Sequence, residues 1–184
     1  MDVTDRALYA SAKGSAIHQS IAAYGPQTAI DGQEQGLSAP TSEVPLAKEG
    51  TYLAGGGGVP KFTKPWIEIS LTEPIELMGL KISSSCLQLG SFPNGFLQKF
   101  HIKAGLSSTS KSNGDTSNSG IEYPVVGTYD GAPLKDCAKA YLTFKYTVKA
   151  QYIAVQGVWS TEGLFSMAEI QLLRGDSIHI NNNY

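Results

Sequence analysis

The segment Lys99-Phe-His-Ile-Lys-Ala104 sends Phe100, Ile102 and Ala104 to one side of an extended chain and Lys99, His101 and Lys103 to the other. A period of two with one polar face is the pattern of a half-buried antiparallel strand; a helix would scatter the same residues around its axis. The pattern recurs. Trp66 to Leu71 sets Ile67, Ile69 and Leu71 against Glu68 and Ser70, and Met78, Leu80 and Ile82 repeat the apolar face. Leu142, Phe144, Tyr146 and Val148 alternate with Thr143, Lys145 and Thr147, and Tyr152 to Val158, Met167 to Leu173 and, more weakly, Tyr123 to Thr128 complete the series. Helical signals are few: Ile17, Ile21 and Tyr24 make a stripe that Gly25-Pro26 ends. With 20 glycines and 9 prolines in 184 residues to turn the chain between strands, the sequence predicts an all-β antiparallel sandwich or barrel.

Charge narrows the partners. Lysine and arginine total 14 against 16 acidic residues, a net charge of −2, so no basic stripe of the kind that holds nucleic acid is expected. No apolar run reaches the roughly 20 residues of a membrane-spanning helix. The first 25 residues lack the basic-then-apolar pattern of a secretion signal. Cys86 and Cys137 are too few for a disulfide framework or an unaided zinc site, and their spacing leaves pairing open. Two stretches interrupt the strands. Residues 32–65 contain Gly55-Gly-Gly-Gly58 and, before the closing Pro65, prolines at 40, 45 and 60; with no Lys-Ser/Thr after the glycines, this is not a phosphate loop. Residues 107–120 are almost wholly polar and are expected to form a mobile surface insertion.

Four stretches in order resemble the discoidin, or coagulation-factor 5/8 type C, family of galactose-binding-like domains. They are Ala29-Ile-Asp-Gly32; Pro65-Trp-Ile-Glu-Ile-Ser-Leu71 followed by Ile75 to Ile82; Phe96 to Gly105; and Gln151-Tyr-Ile-Ala-Val-Gln156 followed by Leu164 to Leu172 and Gly175. Within the family, Ala-Ile-Asp-Gly and the closing Ala-Glu-Ile are most similar to the fucose-binding lectins. The resemblance implies an antiparallel jelly-roll β-sandwich of about eight core strands over residues 1–175, with 176–184 as a tail. It also implies a secreted or cell-surface setting and a structural calcium ion. Carried over by motif, the calcium ligands are the side chains of Asp31 and Glu169 and the carbonyls of Gln33 and Ala168. Calcium takes six to eight oxygens, and a glycine turn lets carbonyls converge. Without the metal, Asp31 is a turn residue and Glu169 a solvent-facing strand residue.

The sugar apparatus of those lectins is not reproduced. They place a histidine before the tryptophan strand and arginines around adjacent cysteines; here no arginine lies between Arg6 and Arg174, and Cys86 has no adjacent partner. Sugar recognition needs an apolar platform and polar donors. Candidates at the loop end are Phe92, Asn94 and Phe96, Trp159 in the loop before the last strands, and Lys64; Phe96 and Trp159 serve equally well as residues at the rim of the core. Trp66 opens a strand and is expected in the core, while His18, His101 and His179 show no ligand spacing. The function implied is a non-catalytic, lectin-like domain that binds a glycan or glycoprotein, with a protein-interaction or adhesion domain of the same fold as the alternative. Membrane insertion is disfavoured by the charge. Weak monosaccharide sites gain from multiple copies, which points to a homo-oligomer.

Overall fold

A computed structural model of the chain describes residues 2–16, 25–32, 52–54, 62–84, 97–134, 138–158 and 165–175. Within them lie β1 (Asp2–Val3), β2 (Tyr9–Gly14), β3 (Tyr52–Ala54), β4 (Trp66–Ser83), β5 (Phe100–Gly105), β6 (Val125–Tyr129), β7 (Lys139–Gly157), β8 (Phe165–Met167) and β9 (Glu169–Arg174). The described helical residues form short 3-10 turns at Arg6–Leu8 and Pro26–Ile30. All strand ladders are antiparallel. The predicted jelly-roll β-sandwich is the observed fold class.

The sequence predicted separate strands at 66–71 and 78–82, and again at 142–148 and 152–158. In the structure each pair is one long strand that serves both layers. The first half of β4 lies between β2 and the end of β7, which continues to β5 and β6; its second half lies between β9, flanked by β1, and the start of β7. The ladder breaks between Ser70/Ile75 and Ala150/Tyr152, where Pro74, which has no N–H to donate, sits exposed. A second break lies between Leu77 and Gly79, opposite Val148 and Thr143. Apolar faces from both halves enter one core: Ile67, Ile69, Leu71, Phe100, Ile102, Ile153 and Val155 meet Leu77, Leu80, Ile82, Ile170 and Leu172.

The second break corrects two expectations of phase. The alternation puts Met78 on the core face, but in the structure Leu77 is fully buried and Met78 only partly so. Tyr146 was grouped with the apolar side of its strand, yet it is 71% exposed, with the Lys145 ammonium 5.2 Å from its ring centre. The break sets extra β7 residues against β4 and interrupts strict alternation. Trp66 is buried as predicted, though on the opposite face from Ile67, in a small second core with Ile121 and Ala154 against which Tyr123 packs. The residues that cover this second face come from the polar stretch after β5.

Candidate functional site

The sandwich end expected to bear the ligand is built by backbone bonds between strand ends. Val158 N–H donates to the Lys99 carbonyl at 3.0 Å, and Gly157 N–H to the Pro65 carbonyl at 2.8 Å. Leu97 and Leu134 form a bridge beside them. The chain entering β5 and the chain leaving β7 are therefore hydrogen-bonded neighbours, and Pro65, next to Lys64, joins them. Lys64 itself is exposed, and burial, followed by the charge of Lys64, lowers the pKa of Lys103. Phe92, Asn94, Phe96, Trp159 and Gln33 lie outside the described residues.

At the same end a cleft of about 170 Å³ is lined by Lys99, Phe100, His101, Thr128, Tyr129, Asp130 and Val158. Its floor is apolar, with the rings of Phe100 and Tyr129 stacked 5.0 Å apart at 15°. The Tyr129 hydroxyl donates to the Ala132 carbonyl at 2.7 Å, which holds the ring. Lys99 and Asp130, each 65% exposed, pair at 2.7 Å on the rim. An aromatic wall beside opposite charges and a hydroxyl is the chemistry that a sugar ring and its hydroxyls require. Tyr129 was missed from the sequence because its strand had only a weak alternation to mark it.

Asp31 and Glu169 are brought to one corner. Asp31 closes the Pro26–Ile30 turn and is exposed; Glu169 opens β9 and is only 2% exposed. Glu169 is thus not the solvent-facing residue that its strand position implied in the absence of metal. Its Oε1 accepts from Arg6 Nη2 at 2.9 Å and its Oε2 from the Gly32 N–H at 3.1 Å. Ala168 is buried, its N–H donating to the Ser83 carbonyl at 2.9 Å. A calcium ion needs converging oxygens, whereas these two bonds bring a guanidinium and an amide hydrogen to the Glu169 carboxylate. Among the described residues no three acidic, histidine or cysteine side chains gather to hold a metal. The described residues at this corner do not fit a calcium ion.

The stretch 107–120 departs furthest from its expected character as a mobile insertion. Lys13, from β2, donates to Ser108 Oγ (3.0 Å), the Thr109 carbonyl (2.9 Å) and the Lys111 carbonyl (2.9 Å). Glu68, 1% exposed on the polar face of β4, accepts from Ser108 Oγ at 3.1 Å, Thr109 N–H at 3.2 Å and the Tyr123 hydroxyl at 2.6 Å, and pairs with Lys13 at 3.3 Å. Lys111 reaches Asp115 at 2.9 Å and the hydroxyls of Ser117 and Ser119, while Trp66 Nε1 donates to Asp115 at 3.1 Å. Burial and then the bond to Glu68 push the Tyr123 phenol far above its ordinary range. Asn118 Oδ1 accepts from Thr63 N–H at 2.9 Å, which ties the loop to the segment carrying Lys64. A loop too polar to enter an apolar core has instead been hydrogen-bonded onto the sheet.

No protein-family model matches the sequence, and no curated protein does. Solved structures do. A fucolectin from striped bass (Morone saxatilis) serum superposes with a TM-score of 0.66 at 19% identity over 94% of this chain and 49% of that one, so the chain spans about half the fucolectin's length. An F5/8 type C domain from Bacteroides fragilis gives a TM-score of 0.62 at 15% identity, covering 93% of this chain and 94% of that one. A carbohydrate-binding module from Clostridium perfringens, in complex with GalNAc-β-1,3-galactose, gives 0.66 at 13% identity, covering 94% and 99%. The fold is that of the galactose-binding-like sandwich, shared with fucolectins, F5/8 type C domains and carbohydrate-binding modules. These neighbours have the fold that the motifs implied.

Proposed function

We propose that the chain is a non-catalytic carbohydrate-binding domain whose sugar site is the end of the sandwich where β5 begins and β7 ends. The observation that carries this reading is the aromatic cleft between Lys99, Tyr129 and Val158, at the point where the chain segments bearing Asn94, Phe96 and Trp159 join the sheet. The structural neighbours support it, since one of them holds a galactose-containing disaccharide. The Tyr129 ring is the described platform. Lys99, Asp130 and Thr128 offer a cation, an anion and a hydroxyl to sugar hydroxyls; Lys64, and Phe92, Asn94, Phe96 and Trp159 outside the described residues, are the further candidates that the sequence names. Glycan or glycoprotein is the partner. A shallow cleft of this size matches one sugar ring, with an expected monosaccharide affinity near the millimolar level, about −4 kcal/mol. Useful avidity then comes from several copies in a homo-oligomer.

Glycan-array screening followed by calorimetry with galactose and N-acetylgalactosamine tests the reading. Tyr129→Ala, Trp159→Ala and Phe96→Ala are each expected to weaken binding roughly tenfold, about 1.4 kcal/mol, with an unchanged circular dichroism spectrum. Wild-type affinity in all three would move the site elsewhere. Absence of any glycan binding would leave a protein-interaction domain of the same fold as the function.

A further inference from the structure

We infer that Arg6 is the resident cation of the corner formed by Asp31, Gly32 and Glu169, so that the tie between the start and the end of this chain needs no metal. The inference does not rest on the sugar site.

A carboxylate 2% exposed must be compensated, because an uncompensated buried charge is strongly destabilising. The compensation comes from the first turn of the chain. Arg6 Nη2 lies 2.9 Å from Glu169 Oε1, a charge-assisted hydrogen bond of ordinary length. The frame around Arg6 is built to deliver it. Asp5 caps the turn through the Ala7 N–H at 2.9 Å, and Thr4 N–H donates to the Leu172 carbonyl on β9 at 2.8 Å. On the other side of the turn Tyr9 accepts the Leu172 N–H at 2.8 Å. The residue carrying the guanidinium is thus fastened to β9 from both directions.

Gly32 completes the fit. Its φ of +98° is a left-handed conformation that glycine adopts without strain, and a Cβ there would lie 2.2 Å from Arg6 Nη1. The guanidinium therefore packs against the bare backbone of the Asp-Gly turn. The same turn directs its amide hydrogen at Glu169 Oε2, with the positive pole pointing inward. A divalent cation at this carboxylate would face both a guanidinium and an amide hydrogen, and like charges at such distances repel. The motif that resembles a calcium turn is here a seat for arginine.

The test is thermal unfolding of the full chain in millimolar calcium and in EDTA, for the wild type, Arg6→Gln, Glu169→Gln and the double variant. The wild-type Tm is expected to be the same in both buffers. Arg6→Gln should lower Tm by about 5 °C, less than for a fully buried pair because Arg6 is 44% exposed. The double variant should be more stable than Arg6→Gln alone, since it removes the stranded carboxylate. If Arg6→Gln does not fold, Arg6→Lys, which keeps the charge, should fold with a smaller loss. A wild-type Tm that rises with calcium, with the rise lost in Glu169→Gln, would overturn the inference. So would effects of the two single changes that simply add.

Discussion

Glu68 and Glu169 occupy equivalent positions in the alternation: each is an acidic residue on the polar side of a strand, and each is almost completely buried. They are buried by different means. Glu169 is closed off by one turn at the chain's beginning, with a half-exposed arginine and a backbone amide as partners. Glu68 lies under a whole loop whose hydroxyls, amide and tyrosine converge on it along with Lys13. The contrast shows that a strand's polar face need not be its wet face. A polar loop can cover it when the face offers charges to bond, and the cover is then a network rather than a single latch. Lys111 and Asp115 extend that network to the indole of Trp66, so the second core and the loop hold each other.

The largest effect separating the two corners should come from Glu68→Ala. It strands Lys13 and the Tyr123 hydroxyl and releases the loop, at a cost of about 3 kcal/mol, or a Tm loss of roughly 10 °C. Limited trypsin digestion should then cut at Lys111, which is 14% exposed in the intact protein. A Tm loss below about 2 °C, or an uncut loop, would mean that the loop stands without Glu68.

Acid should act next, and on the loop corner. Burial alone would raise the pKa of Asp115, but bonds from Lys111, Ser117 and Trp66 outweigh it and hold the group at about 2, against an ordinary value of 3.8. A depressed folded pKa means that the stabilisation is fully present above the unfolded value and is lost as pH falls through the folded one. About 2 kcal/mol should therefore disappear between roughly pH 4 and pH 2. Urea unfolding across that range should show wild type and Asp115→Asn converging; curves that stay parallel would refute the assignment.

The smallest effect is the control for both corners. Lys99 and Asp130 pair at 2.7 Å but are each 65% exposed, so Lys99→Ala should cost no more than about 0.5 kcal/mol by chemical denaturation. A loss as large as that of Glu68→Ala would show that exposure does not decide the difference between these ion pairs.

Much of this was legible from local pattern. The alternations at 66–71 and 99–104 put Ile67, Ile69, Phe100 and Ile102 on the core side, where the structure has them. The Ala-Ile-Asp-Gly and Ala-Glu-Ile motifs pointed to a shared corner, and Asp31 and Glu169 do share one. What pattern could not supply was the neighbour. Local pattern marks Arg6 only as an isolated arginine, because the partner that explains it is 163 residues away. The phase errors at Met78 and Tyr146 have the same origin, since a ladder break depends on the opposing strand.

The sequence by itself determined the class of fold and the core face of the uninterrupted stretches at 66–71 and 99–104, because side-chain alternation follows from backbone geometry within a few residues. Only the tertiary structure decided which polar residues are dry, that Lys13 and Tyr123 meet Glu68, and that a guanidinium sits at the Asp-Gly turn. The physical reason is that burial of a charge depends on what arrives to compensate it, and in this chain the compensating groups come from distant segments.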